Sequence, residues 1–347
     1  MKKVVFISNS PNNYQYNFFE TALRFIKIEC FFYYKEIKKN NYKWVEPNKK
    51  KVKIVYSNNK KIDQILKQKN IDVILLGYVK YIDLVKILFR NIKDKKKIFF
   101  FSEVPNSNNH YVYKFFRYLY HAIILRYLSG VFCIGRKSVN YFTRINKCTY
   151  YFPYSINSYK LTTKKKFQVI NFIFIGQLIN RKSILETIES FIMLSNTYTK
   201  NTLTIIGSGD YESYCRKASK QFKNINFYGF RNQNFIRKKL NDSHVLLHPS
   251  KYDGWSVVVM QAMNAGLGII GSKETNCVYD YIKHKKNGFV CEPKTQSIYS
   301  GMKFYVKNKN ILKLHMKKNK MIFDKSLMNS YNSSKRFAEI LNLKQDD

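Results

Sequence analysis

The chain has little of what would staple it or carry it through a membrane. Its six cysteines (Cys30, Cys133, Cys148, Cys215, Cys277 and Cys291) are scattered, with no C-x-x-C pair and no histidine at zinc spacing. That argues against a structural metal and fits a reduced cytosolic compartment. No apolar run approaches the 18 or so residues of a transmembrane helix. The apolar part of Met1–Ser10 is too short for a signal peptide and reads as a first buried strand. The loop after it, Ser8–Gln15, holds no glycine, which excludes the G-x-G-x-x-G fingerprint of a nicotinamide-dependent Rossmann enzyme at that position. Negative charge is the other shortage: 22 Asp and Glu stand against 62 Lys and Arg, a formal charge of +40. Arginine is sparse too, lysine supplying 51 of the 62, and no RNP-like, helix-turn-helix or zinc-finger pattern occurs. Base-reading contacts with nucleic acid are therefore not expected. Two readings of the charge stay open. It is compositional drift on solvated faces, in a chain also crowded with Asn, Ile, Tyr and Phe, or it draws the protein to anionic lipid at about 1 kcal/mol per basic residue near the surface.

What is present is organised. With 347 residues, 45% of them hydrophobic, the chain can build two domains with real cores. In the first half, short apolar runs at Val4–Ser8, Lys53–Tyr56, Val73–Leu76, Ile98–Ser102 and Gly130–Ile134 read as buried parallel strands. Between them Phe18–Ile28, Ile62–Lys69, Ile82–Phe89, Tyr111–Leu128 and Lys137–Arg144 carry helical patterning. The second half repeats the alternation from Phe172 to about Lys283 and ends helical and basic from Ile298. Alternating strands and helices predict α/β architecture with two doubly wound Rossmann-like domains. The expected boundaries are 1–155, a linker at 156–166, 167–325, and a C-terminal helix at 326–347 that packs back on the first domain. Such a pair makes a cleft between the carboxyl ends of two sheets, the usual ligand site.

The stretch Lys251–Gly266 carries the most information. Asp253 sits in a glycine-containing turn just before an apolar helical run that stops at Gly266. A turn feeding a helix N-terminus offers free N–H groups and a positive dipole end, suited to a phosphate or a sugar hydroxyl. Gln261, eight residues on, lies about 12 Å along the helix, a spacing for two parts of one elongated ligand. A second basic point is Phe174-Ile-Gly176-Gln-Leu-Ile-Asn-Arg181-Lys182, between a predicted strand and a helix. Gly176 permits close approach, and Arg181 with Lys182 can neutralise a diphosphate. A solvated basic pair is the plain alternative. A third point is the strand-ending Gly207-Ser-Gly209, weak when taken alone.

Together these resemble the donor signature of retaining glycosyltransferases of family 4, written E-x7-E and seen as (D/E)-G-(F/W)-G-x4-E-A-M-x-x-G. Asp253, Gly254 and Trp255 match its first half, and Gln261 stands where the family has Glu. Lys182 matches the Lys of G-R-L-x-x-x-K-G, while Gln177 replaces its Arg and Ser183 its Gly. The resemblance covers Phe172–Pro293 well and the first half weakly. It implies the GT-B fold, a nucleotide-diphosphate-sugar donor and retention of anomeric configuration, with an acceptor of the lipopolysaccharide or capsule type. It also implies that Asp253 meets hydroxyls of the transferred sugar while Arg181 and Lys182 hold the leaving diphosphate. Gly176, Gln177, Gly207, Gly209, Gly254, Trp255, Ser256, Val257 and Gln261 would bind the donor. For Asp253 the alternative is a turn carboxylate bonding its own backbone. For His248 a partly buried strand-end histidine is the preferred reading.

The first half is expected to meet the acceptor through Asn12, Asn13, Tyr14 and Gln15. Glu103, ending a strand, either orients the acceptor or balances charge near the sugar, as a catalytic-site residue, or caps the next segment. His110 is more simply a loop histidine. Tyr111–Leu128 interleaves aromatics with Lys114, Arg117 and Arg126, which suits either a membrane interface or a half-buried helix. The reading is thus a cytoplasmic, peripheral-membrane glycosyltransferase needing neither metal nor cofactor, with an anionic membrane surface as partner. A non-catalytic nucleotide-sugar binder, suggested by Gln261 and Gln177, is one rival. A basic membrane- or RNA-binding protein resting on charge alone is another.

Overall fold

The computed structural model describes residues 2–8, 13–26, 28–34, 53–56, 71–77, 85, 87–89, 96–105, 111–159 and 166–343. The chain divides into two units, Met1–Asn157 with Leu327–Asp347, and Ser158–Ser326. Each is an α/β unit on a parallel sheet.

Among the described residues of the first unit seven strands, β1 (Lys2–Ser8), β2 (Ile28–Tyr34), β3 (Lys53–Tyr56), β4 (Val73–Leu76), β5 (Lys97–Glu103), β6 (Gly130–Ile134) and β7 (Thr149–Tyr151), lie in the order β3-β2-β1-β4-β5-β6-β7. Both faces are covered, so the central strands are apolar at consecutive positions rather than alternating. Phe6, Leu75, Phe99 and Phe132 face one side, against Phe18 and Phe19 of α1 (Asn13–Ala22) and Phe337 of the C-terminal helix. Val5, Ile7, Ile74, Phe100 and Val131 face the other, against Leu125, Leu128 and Phe142. That second side carries α2 (Tyr111–Ile124), a 3-10 turn (Leu125–Tyr127) and α3 (Arg136–Phe142). The Phe337 ring stands 5.3 Å from Phe18 and 5.7 Å from Phe132, so the end of the chain completes a core begun at its start.

The second unit has six strands, β8 (Asn171–Ile175), β9 (Thr202–Ile206), β10 (Ile225–Phe227), β11 (Val245–His248), β12 (Gly268–Gly271) and β13 (Phe289–Val290), in the order β10-β9-β8-β11-β12-β13. The order reverses between β8 and β11, and a ligand of such a sheet binds outside the strand ends at that switch point. Helices α4 (Ile184–Ser195), α5 (Glu212–Gln221), α6 (Gln233–Asp242), α7 (Val257–Asn264), α8 (Asn276–Tyr281), α9 (Thr295–Lys307) and α10 (Lys309–Lys325) surround it. The last helix, α11 (Ser330–Leu343), lies in the first unit.

Three strands depart from the sequence reading. Ile28–Tyr34 pairs with β1 over seven residues, whereas the helical patterning runs on to Ile28. The helix stops at Ala22, and the aromatic and β-branched run beyond it suits a strand. The three-residue β7, near the end of the first expected domain, and the two-residue β13 are too short to carry a pattern. The helix expected at Ile62–Lys69 and half of that at Ile82–Phe89 lie outside the described residues, as do Asn12 and His110.

Candidate functional site

The switch point of the second unit is where three sequence-marked segments meet. β8 runs out at Ile175, so the next residues, 176–183, form a loop over the sheet's carboxyl edge. β11 runs out at His248, and the loop 249–256 follows beside it. Several bonds strap the loops together. The Lys251 amide donates to the Arg181 carbonyl at 2.8 Å, and the Arg181 guanidinium donates to the Tyr252 carbonyl at 2.6 Å. Lys251 Nζ reaches Asn180 Oδ1 at 2.5 Å and Glu186 at 3.0 Å. Most telling, Lys182 Nζ lies 2.5 Å from Asp253 Oδ2, with both side chains largely buried.

Asp253 Oδ2 also accepts from His248 Nε2 at 3.0 Å, and Ser250 Oγ stands 3.3 Å from the same nitrogen. Burial alone would raise the Asp253 pKa, but the His248 hydrogen bond and the Lys182 charge hold it at about 2. With the carboxylate ionised, Nε2 must carry the ring proton, and burial keeps the His248 ring neutral. Lys182 shifts the other way from a well-paired lysine. Burial, aided by the charge of Arg181, pulls its pKa down more than Asp253 pushes it up. Asp253 is therefore well satisfied and Lys182 is not. A second anion arriving beside Lys182 and Arg181 would relieve what one carboxylate does not.

Ser183 holds the bend after Lys182 in the left-handed region, φ +53° and ψ +43°. Its hydroxyl is buried without a hydrogen-bond partner, and its carbonyl accepts from the Thr187 amide and hydroxyl. A non-glycine residue in this conformation costs about 1–2 kcal/mol, so the loop carries strain at the point where it aims Lys182.

The remaining candidates sort by what their atoms already do. Ser256 caps α7, its Oγ accepting from the Val259 amide at 3.3 Å. The first-turn amides at Val257 and Val258 are left to the ladder's open end, where an anion is favoured. Gly254 is buried beside this cap, Gly176 and Gln177 are half-buried on the β8 loop, and a Cβ at Gly176 would meet only the Phe174 ring. Trp255 belongs to the core: its indole N–H points at Met260 Sδ at 3.3 Å and its ring meets Tyr281 edge-on. Gly207 and Gly209 have a backbone task. A Cβ at Gly207 would lie 1.8 Å from the Gly176 carbonyl oxygen, and one at Gly209 would strike the Leu178 backbone. That contact, with the Leu178 amide donating to the Ser208 carbonyl, locks the β8 loop to the end of β9.

Gln261 is buried on α7, and its Nε2 donates to Gln233 Oε1 at 2.8 Å. Tyr159 Oη donates to the Gln261 carbonyl at 3.3 Å, and Arg237 lies over the Tyr159 ring. His248 is the buried strand-end histidine of the sequence reading, and with Ser250 beside Pro249 it joins the group around Asp253. Gln233 and Tyr159 are the neighbours that sequence reading missed, and nothing local marks them.

In the first unit, Tyr14 and Gln15 of α1 line a small cavity with Phe101 and Tyr154. The Tyr14 and Tyr154 rings are 4.6 Å apart, and the Tyr154 phenol bonds both Tyr14 and Glu103. Burial, then the Glu103 charge, drives the Tyr14 pKa up, and burial does the same to Tyr154. Glu103 thus ends β5 within a phenol network. Asn13 opens α1. Among the described residues no group of three or more His, Cys, Asp or Glu is placed to hold a metal ion.

Residues 160–321 match the family model for glycosyl transferases, group 1. A glycosyltransferase of Haemophilus influenzae is 26% identical over 138 residues, 39% of this chain and 38% of its own length. One of Methanocaldococcus jannaschii is 29% identical over 126 residues, 35% of this chain and 32% of its own length. The aligned part thus spans only about a third of the length of these curated relatives. HepE of Anabaena, solved with UDP, superposes over 99% of this chain and 100% of its own, with a TM-score of 0.77 at 12% identity. WaaG, a glycosyltransferase involved in lipopolysaccharide biosynthesis, does so over 97% and 99%, with a TM-score of 0.67 at 15% identity. At such identities the likeness shows the fold, and the fold is of the GT-B type, built from two Rossmann-like units.

Proposed function

We propose that this protein is a glycosyltransferase that takes a sugar from a nucleotide-diphosphate donor bound at the carboxyl edge of the second unit. The observation that carries the reading is the buried Lys182–Asp253–His248 group at the switch point, inside the segment that matches the glycosyl transferase family. In the reaction the bond between the sugar's anomeric carbon and the diphosphate oxygen breaks, and one to an acceptor hydroxyl oxygen forms. Negative charge grows on the departing diphosphate, and the acceptor's proton passes to that oxygen. Lys182, Arg181 and the first-turn amides of α7 meet the growing charge, which is the stabilisation such a site has to supply. Asp253, ionised and acceptor-only, binds hydroxyls of the sugar with whatever lone pairs Lys182 and His248 leave. Gln261 faces the ribose with a neutral amide. Retention of configuration follows from the resemblance, and the acceptor is a lipid-linked surface glycan met by the first unit, through Tyr14, Gln15 and Glu103, at an anionic membrane face.

One observation favours a second reading. The Gln261 amide is already engaged by Gln233, as in a site that binds donor without turning it over. Melting curves with UDP-, GDP- and ADP-sugars separate the cases. A rise with one donor and release of its nucleoside diphosphate supports transfer. A rise without release, even with a lipid-glycan extract present, supports the binder, and no rise with any donor sinks both.

A further inference from the structure

A surface helix normally buries one apolar stripe and turns charge to the solvent. Helix α2 and its 3-10 extension do not. The inner side carries His121, Leu125 and Leu128, all buried, with His121 Nδ1 2.9 Å from the Tyr141 hydroxyl. The outer side is apolar as well. Phe115 is 59% exposed, Phe116 63%, Ile123 56% and Tyr127 70%, with Leu119 also exposed between them. Positions 116, 119, 123 and 127 recur at helical spacing, so they form one continuous outward stripe. Such a stripe on a single element calls for a partner.

Charge says which partner. From Tyr111 to Leu128 there is no acidic residue, while Lys114, Arg117 and Arg126 interrupt the aromatics. Arg126 is exposed and donates to the Ala122 carbonyl, which holds its guanidinium beside the stripe. The chain as a whole carries +40. A second copy would bring the same charge to the same face and be repelled, whereas an anionic bilayer takes the apolar stripe into its interface and the cations at its headgroups. We infer that the outer face of residues 115–127 is a membrane-docking surface, which seats the first unit on anionic lipid. No helix of the described residues is long and apolar enough to cross a membrane, so this contact lies in the interface plane.

The inference rests on the proposed membrane-linked acceptor only for its purpose, because lipid binding is measured with no sugar donor present. The full chain is floated with vesicles of phosphatidylcholine, with and without phosphatidylglycerol, at physiological salt. Binding is expected only to the phosphatidylglycerol vesicles. In Phe116→Ser/Ile123→Ser it falls about tenfold or more, as removing two large apolar side chains from the interface requires, while the melting temperature holds because both side chains are already exposed. Phe116→Trp keeps the binding, and brominated lipid quenches the fluorescence that the added indole contributes. Binding by the double serine variant as tight as the parent's would reduce the attraction to charge alone and overturn the inference. So would an added indole that stays unquenched in the bound Phe116→Trp protein, failure of the parent to bind, or a parent dimer that the serine variant dissolves.

Discussion

Replacing Asp253 by Asn is the perturbation with the most to say about the site. The carboxylate holds Lys182 at 2.5 Å, and the two side chains are only 10% (Lys182) and 14% (Asp253) exposed. Without it, Lys182 is a buried ammonium beside the like charge of Arg181, with its pKa already lowered by burial. Breaking a buried pair from one side costs about 3–5 kcal/mol, whereas replacing the pair by matched neutral groups is often nearly neutral. Lys182→Met should be milder, about 1–3 kcal/mol, because Asp253 keeps the charged hydrogen bond from His248. The double variant should then cost no more than Lys182→Met alone, a coupling of about 3 kcal/mol or more. Urea unfolding of the four proteins at neutral pH measures this. A nucleoside diphosphate sharpens the test: as a replacement anion for Lys182, UDP should raise the melting temperature of Asp253→Asn more than that of Lys182→Met. Additivity of the two single variants within about 0.5 kcal/mol, or equal UDP responses, would refute the reasoning.

Three further outcomes follow from particular atoms. Ser183→Gly should stabilise by about 1 kcal/mol, since relief of left-handed strain and of a buried unpaired hydroxyl outweighs glycine's entropy cost; a loss of stability in urea titration would contradict the strain. Gln261→Glu should bind UDP about fivefold more tightly, a charged bond to a ribose hydroxyl exceeding a neutral one by roughly 1 kcal/mol; calorimetric titration reads this directly. His121 is held at a pKa of about 4 by burial and by the charge of Arg117. Its unfolded form therefore takes a proton first as pH falls, and about 3 kcal/mol of stability should drain away between roughly pH 6.5 and 4. That slope should flatten in His121→Gln, and an unchanged slope would place the titration elsewhere.

Much of the fold was legible because a doubly covered parallel sheet writes its strands as short apolar runs. Val73–Leu76, Gly130–Ile134 and Val245–His248 fall where such runs stand. Ile28–Tyr34 was not legible, since its apolar pattern continues that of the helix before it and only pairing with β1 separates them. The C-terminal site was legible as segments but not as a constellation. Lys182 and Asp253 are 71 positions apart, and no local pattern says that they touch. His248 looked like a bystander until its ring nitrogen was placed beside Asp253. Trp255 matches the donor signature, and its indole N–H lies against Met260 Sδ in the core, a contact that the motif does not announce. Gly207 also has a task that its motif does not announce: its missing Cβ admits the Gly176 carbonyl and so sets the loop that carries Lys182.

The central claim is that Lys182 serves a departing diphosphate. Release of UDP from UDP-glucose, or of the matching diphosphate from whichever donor raises the melting temperature, should be measured for the parent and for Lys182→Ala side by side. Slow release is expected from the parent, and at least about a hundredfold less from the variant if removing one preorganised cation costs about 3 kcal/mol of transition-state stabilisation. Equal release by a folded Lys182→Ala protein would contradict that role.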